Sequence, residues 1–223
     1  MTLYLSRLTL DRAAPAAALA PLLDPEDPHR AADAHHRLVW TLFADGPDRT
    51  RDFLWRANGA GRFYALSRRP PHASPLFEPP ETKPFEPALS SGDHLAFMLR
   101  ANATKDRAGA SKDRRVDVVM DGLHGLPKGG RAERRDAVAR AAGCDWLARQ
   151  GAAKGFEPIR TEVEGYDTLE IARGRGRRGA RFGILDMKGT IRVTDPDAFL
   201  AALATGFGRA KAWGCGLMLI RRA

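Results

Sequence analysis

Two adjacent histidines, His35 and His36, lie in a segment whose apolar residues Leu38, Val39, Leu42 and Phe43 recur at helical spacing. At about 100° per residue that stripe is centred near His35, and His36 falls on its flank beside Trp40 and Phe43. An imidazole at such an edge keeps a near-neutral pKa and can reach a ligand, which suits general acid or base work. Taken alone, an ordinary helix histidine is the commoner outcome. The pair gains weight from a second segment near the C-terminus, GFGRAKAWGCGL, where Gly206, Gly208, Gly214 and Gly216 surround Arg209 and Lys211. Glycines let a backbone approach a phosphate closely, and amides together with two cations can cradle it. A helix cap and a bulged strand explain part of this glycine content but not all of it. Lys211 has no Gly before it and no Ser or Thr after it, so this is no nucleotide-binding P-loop.

A third segment, ARGRGRRGAR, carries Arg173, Arg175, Arg177, Arg178 and Arg181. Its glycines at 174, 176 and 179 match a dinucleotide fingerprint, but that loop must open a helix and the following residues read as a strand. Five arginines at a turn between strands make a basic finger suited to the phosphates of a nucleic acid duplex. A fourth segment, LRANATKDR, places Arg100, Lys105 and Arg107 at a strand end, which is a weak signal by itself. The six histidines and the acids show no spaced metal-ligand set, and no nucleophile-elbow or Cys/His motif points to acyl transfer. No metal and no cofactor are expected.

The elements that would position these groups follow from pattern. Residues 2 to 10 read as a strand, and Asp27 followed by Pro28 is a strong helix start, with the helix running to about Phe43. Residues 51 to 57 and 62 to 69 read as strands joined by a turn at Asn58-Gly59. Seven prolines between 70 and 91 mark a linker with at most an edge strand. The pattern then restarts: a strand at 94 to 101, a helix at 131 to 150, strands at 166 to 173 and 182 to 193, the latter turning near Lys188-Gly189. Asp195-Pro196 opens another helix that Gly206 closes, and 215 to 222 is the last strand. Strand, helix, strand, strand, helix, strand suits a ferredoxin-like or RNA-recognition-type domain. The first half opens the same way without a convincing second helix. The expectation is an α+β chain of two related domains, at 1–88 and 92–223.

Composition narrows the partner. The 223 residues carry 36 Lys+Arg against 27 Asp+Glu, a net charge of +9, which implies a polyanion. No stretch reaches the ~18 apolar residues of a spanning helix, and charges at Arg7, Asp11 and Arg12 interrupt any signal-peptide core. Two unspaced cysteines, Cys144 and Cys215, suggest a reducing cytoplasm.

Together these segments resemble the CasE family, the repeat-cleaving endoribonucleases of type I-E CRISPR systems, over nearly the whole chain. MTLYLSRLTL is similar to the family's opening strand, and HHRLVWTLFADGPDRTRDFLW to its catalytic-histidine helix and the strand after it. LRANATK resembles its R-A-N-P-x-K segment, and GFGRAKAWGCGL its terminal G-x-G-x-A-K-x-x-G-x-G-L loop, the most specific match. The resemblance implies two tandem ferredoxin-like domains, with the catalytic histidine at His36. It implies metal-independent cleavage of precursor crRNA at the repeat hairpin by the 2′-hydroxyl, leaving a 2′,3′-cyclic phosphate. It also implies continued attachment to the crRNA 3′ hairpin within the Cascade surveillance complex, chiefly beside the backbone subunit next to that end. Where the family often has tyrosine, three residues before the histidine, this chain has Asp33; Ala103 and Arg209 stand where proline is common. Asp33 orients or charges His36, or another side chain is the second catalytic group. Lys211 and the loop amides would stabilise charge on the phosphate, and the arginine finger would grip the stem.

Overall fold

The computed structural model describes residues 2–13, 19, 22, 23, 25–46, 48–106, 115–173 and 177–223, of which 172, 173, 177 and 178 are described by backbone alone. The first half contains β1 (Tyr4–Thr9), α1 (Pro28–Thr41), β2 (Phe53–Ala57), β3 (Arg62–Ser67) and β4 (Glu81–Pro84). The Asp27 side chain accepts from the Arg30 amide at 2.9 Å and Pro28 occupies the first turn, the start that the sequence reading expects. The strands lie in the order β2-β3-β1-β4, antiparallel throughout. That is the ferredoxin-like order, with the stretch from 68 to 80 standing where a second helix would run.

The second half repeats the plan with β5 (His94–Ala101), α3 (Arg131–Ala153), β8 (Phe156–Arg173), β9 (Arg177–Val193), α4 (Pro196–Thr205) and β10 (Met218–Arg222), ordered β10-β5-β9-β8. Between β5 and α3 it inserts a small ladder, β6 (Thr104–Asp106) with β7 (Arg115–Asp117), and the short helix α2 (Val118–His124). The chain is therefore α+β, two ferredoxin-like units in tandem. Among the described residues no helix is long and apolar enough to cross a membrane.

One expectation is corrected. Lys188-Gly189 is no turn: β9 runs unbroken from 177 to 193. A Cβ at Gly189 would lie 1.9 Å from the Arg160 carbonyl, so the glycine there admits the bulged neighbour strand rather than reversing the chain.

Three apolar contacts set the geometry of the site. The inner face of α1 (Leu38, Val39) packs with Leu42, Phe43, Phe53, Trp55 and Phe63 over the first sheet. On that sheet's other face Leu3, Leu54 and Leu66 meet Leu217 from just before β10. Ala32 of α1 packs with Leu169, Ile171, Ile184 and Cys215, next to Ala210 and Trp213. The first helix is thereby wedged between its own sheet, the β8–β9 arm and the chain leading into β10. Burying side chains of this size is worth roughly 1.5–3 kcal/mol each, so the wedge is held firmly.

Candidate active site

His35 points inward from α1. It is buried, with its ring edge-on to Phe63 at 4.8 Å and to Trp55 at 6.4 Å. One residue on, His36 sits at the rim, half-buried against the turn that follows α4. Its ring centroid lies 4.7 Å from that of Trp213 and 6.4 Å from Trp40. Nδ1 is buried without a hydrogen-bond partner, while the ring hydrogen-bonds to the Ala212 carbonyl. Nδ1 is thus shut off from solvent, and Trp213 is the closer of the two indoles beside the ring.

The electrostatics of His36 have identifiable sources. Burial pushes its pKa below the ordinary imidazole value. The Ala212 hydrogen bond and the charge of Asp33 pull it up, and Arg51 and Arg37 push it down. Asp33 itself is paired with Arg37 at 2.8 Å one turn along the helix. It acts on His36 through space as a counter-charge. Arg51, half-buried in the loop before β2, was not singled out in the sequence, because only the fold brings that loop to α1. It also depresses Lys211, whose pKa is lowered first by burial and then by the Arg51 charge.

The glycine segment gives this turn its path. All four glycines take positive φ, from 71° to 92°. Gly208 crosses the end of β5, where a Cβ would meet the Asn102 carbonyl at 2.6 Å, and Gly214 lies flat on the Trp55 ring, 3.2 Å from where its Cβ would be. The amide cradle is largely committed to the protein. The Gly206 amide donates to Ala202, Phe207 to Gly216, Arg209 to Asn102, Trp213 to Ala210 and Gly216 to Arg100. Gly206, Gly214 and Gly216 are buried. The Gly206 and Gly216 amides are thus held by protein carbonyls, and the four glycines set the course of the chain here.

The other expected contacts divide. Arg100 is engaged bidentately with Asp186, at 2.7 and 2.9 Å, and Lys105 with Asp121 at 2.7 Å. Arg209 and Arg181 are exposed. The backbone of β8 and β9 pairs out to Arg173 opposite Arg177, so the arm is a hairpin, as the finger reading expects. The Glu170 amide on this arm donates to His29 Nδ1 at 2.9 Å, placing it beside α1. Arg175 and Arg107 lie outside the described residues, as do the side chains of Arg173, Arg177 and Arg178. Among the described residues no group of three or more His, Cys, Asp or Glu is arranged to hold a metal.

Two sheets of RNA-recognition topology, with a rim histidine set against a cationic turn, define a tandem ferredoxin-like α+β protein. The chain belongs to the CRISPR associated protein family, whose model matches residues 3–222. It is 28% identical to the CRISPR system Cascade subunit CasE of Escherichia coli, over 82% of this chain and 88% of that protein. It is also 28% identical to the CRISPR-associated endoribonuclease Cse3 of Thermus thermophilus, over 98% of this chain and 99% of that protein. Among solved structures it resembles Thermus thermophilus Cse3 bound to an RNA representing a pre-cleavage complex. The TM-score there is 0.67 at 25% identity, with 99% of this chain and 100% of the other covered.

Proposed function

We propose that this protein is an endoribonuclease that cleaves CRISPR repeat RNA at its hairpin and stays bound to the product as a subunit of a Cascade-type complex. The observation that carries the reading is the packing of His36 against Ala212 and Trp213, which joins the helix histidine to the cationic turn. Its relatives' names, a Cascade subunit and an endoribonuclease, support the same assignment. A cytoplasmic setting fits two free cysteines. We take residues 88 to 92, between β4 and β5, as the boundary of the two domains.

RNA carries its own nucleophile, so the chemistry can proceed without a metal. The 2′-oxygen forms a bond to phosphorus, the bond from phosphorus to the 5′-oxygen breaks, that oxygen takes a proton from water, and the products are a 2′,3′-cyclic phosphate and a 5′-hydroxyl. His36, kept neutral by burial, takes the 2′-hydroxyl proton as general base. Lys211 and Arg51 offset the charge that develops on the phosphate. Asp33, the counter-charge, favours the imidazolium formed in the step.

Incubation of purified protein with repeat hairpin in excess chelator tests the reading. Expected are one cut and a cyclic phosphate end; no cleavage, or a 5′-phosphate product, overturns it. The pH profile adds a signed test. A base is active when neutral, so the rate falls as pH drops through the pKa of His36. Removing the repelling charge with Arg51→Ala raises that pKa and moves the acid limb to higher pH. Asp33→Asn removes an attracting charge and moves it to lower pH. Limbs that stay together, or cross, reject His36 as the titrating base.

A further inference from the structure

The cationic turn has a second side, away from His36. There a polar cavity of about 350 Å3 opens between β6, the C-terminal end of α3 and the turn. Five cations line it: Lys105, Arg115, Lys154, Arg209 and Lys211. Two of these have carboxylate partners, Lys105 with Asp121 at 2.7 Å and Arg115 with Asp106 at 2.9 Å. Among the described residues, no carboxylate lies within salt-bridge distance of the other three. Lys154 Nζ donates to the neutral Gln150 Oε1 at 2.7 Å and lies 4.6 Å above the Phe207 ring. Lys211 Nζ donates to the Thr205 carbonyl at 2.7 Å. Burial holds both lysines below the ordinary ammonium value, and the charge of Lys211 lowers Lys154 further. Partly desolvated like charges facing one cavity are costly until an anion joins them. The non-bridging oxygens of a phosphate suit such a set of donors. Neither His36 nor Trp213 lines the cavity, so an anion seated in it does not touch the imidazole.

We propose that this cavity is a second phosphate site, in which Lys154 and Arg209 hold a backbone phosphodiester flanking the scissile one, next to Lys211. The proposal rests on the nuclease reading and extends it: the cut strand is gripped at two phosphates, and the second grip survives cleavage. Lys154 is also the residue that ends α3, where the helix dipole alone favours a cation. The test must therefore separate a helix cap from a phosphate ligand.

Lys154→Gln and Lys154→Arg are compared with the parent for hairpin affinity across salt concentrations, single-turnover rate at saturating protein, and thermal unfolding. Lys154→Gln is expected to weaken binding by roughly tenfold, one charge-assisted contact. The slope of log affinity against log salt should shrink by roughly 0.7–0.9, with the rate of the bound complex unchanged. Lys154→Arg should restore the slope. A neutral methylphosphonate walked along the positions flanking the cut should weaken parent binding at one position that no longer matters in Lys154→Gln. Unaltered affinity and slope, or a lowered unfolding temperature with an unaltered slope, overturns the site and leaves the nuclease standing. A parent protein that binds no hairpin overturns both.

Discussion

His36→Ala is expected to lower the single-turnover cleavage rate by roughly 10² to 10⁴-fold, the usual worth of a positioned general base, while hairpin affinity stays close to that of the parent. The separation follows from what the ring touches. His36 sits at the rim of α1 and contacts Trp213 and the Ala212 carbonyl, none of which belongs to the charged groups that meet phosphate. Removing the imidazole leaves no carbonyl stranded, because the Ala212 oxygen still accepts from Trp55 Nε1 at 3.1 Å. Nδ1 has no protein partner to lose. The fold should therefore tolerate the change, and a thermal melt near that of the parent would certify that lost rate is lost chemistry. The neighbouring substitution, His35→Ala, should behave in the opposite way. It empties a buried site between Phe63 and Trp55 and lowers stability, with cleavage following the folded fraction. Cleavage by His36→Ala at the parent rate would remove the base from the mechanism.

Much of this arrangement is legible in the chain because the informative signals are local. Asp27-Pro28 and Asp195-Pro196 are complete capping devices within four residues, and both helices start where these stand. The alternation of β5 was readable because its faces differ, with Leu95, Phe97, Leu99 and Ala101 buried and His94 and Met98 exposed. β4 was legible only as a possible edge strand: Glu81–Pro84 is exposed throughout and is fixed by side-chain contacts of Ser6 with Thr82 and Arg7 with Glu81. The first part of β8 escaped as well, since Pro158 and a run of charges conceal an edge strand that bulges twice before Tyr166. The site divides in the same manner. His36 and Lys211 stand in segments with a recognisable spacing. Arg51 comes from a loop and Lys154 from a helix end, and neither has a neighbour in sequence that marks it. The wedge of α1 brings Arg51 to the turn, and the Phe207 ring beneath the end of α3 brings Lys154, both tertiary facts. The glycines were visible in the chain, and the fold adds a packing requirement that spacing does not reveal: a positive φ beneath the Trp55 ring and across the Asn102 carbonyl.

Replacing the ribose at the cut with its 2′-deoxy form is expected to abolish cleavage and leave an intact RNA in the complex. The nucleophile is then gone, and a free water would have to replace a hydroxyl that is tethered beside the phosphate. A single hydroxyl contributes at most about 0.5–1.5 kcal/mol to binding, whereas on the proposed reading the strand is held mainly by cations at its phosphates, among them Arg209 and Lys154 of the polar cavity. Affinity should thus remain within roughly tenfold of the ribose substrate, with the same salt dependence, because no phosphate has been removed. Paired with His36→Ala, the experiment separates two ways of losing activity. The deoxy RNA stays uncut by the parent at every pH, since no base can deprotonate an absent hydroxyl. The alanine variant on native RNA should instead regain some rate as pH rises and hydroxide or solvent takes over proton removal. Cleavage of the deoxy substrate at the expected bond would require an external nucleophile. It would place the reaction among hydrolyses, and the rim histidine would then have to be reassigned from deprotonating a ribose to activating water.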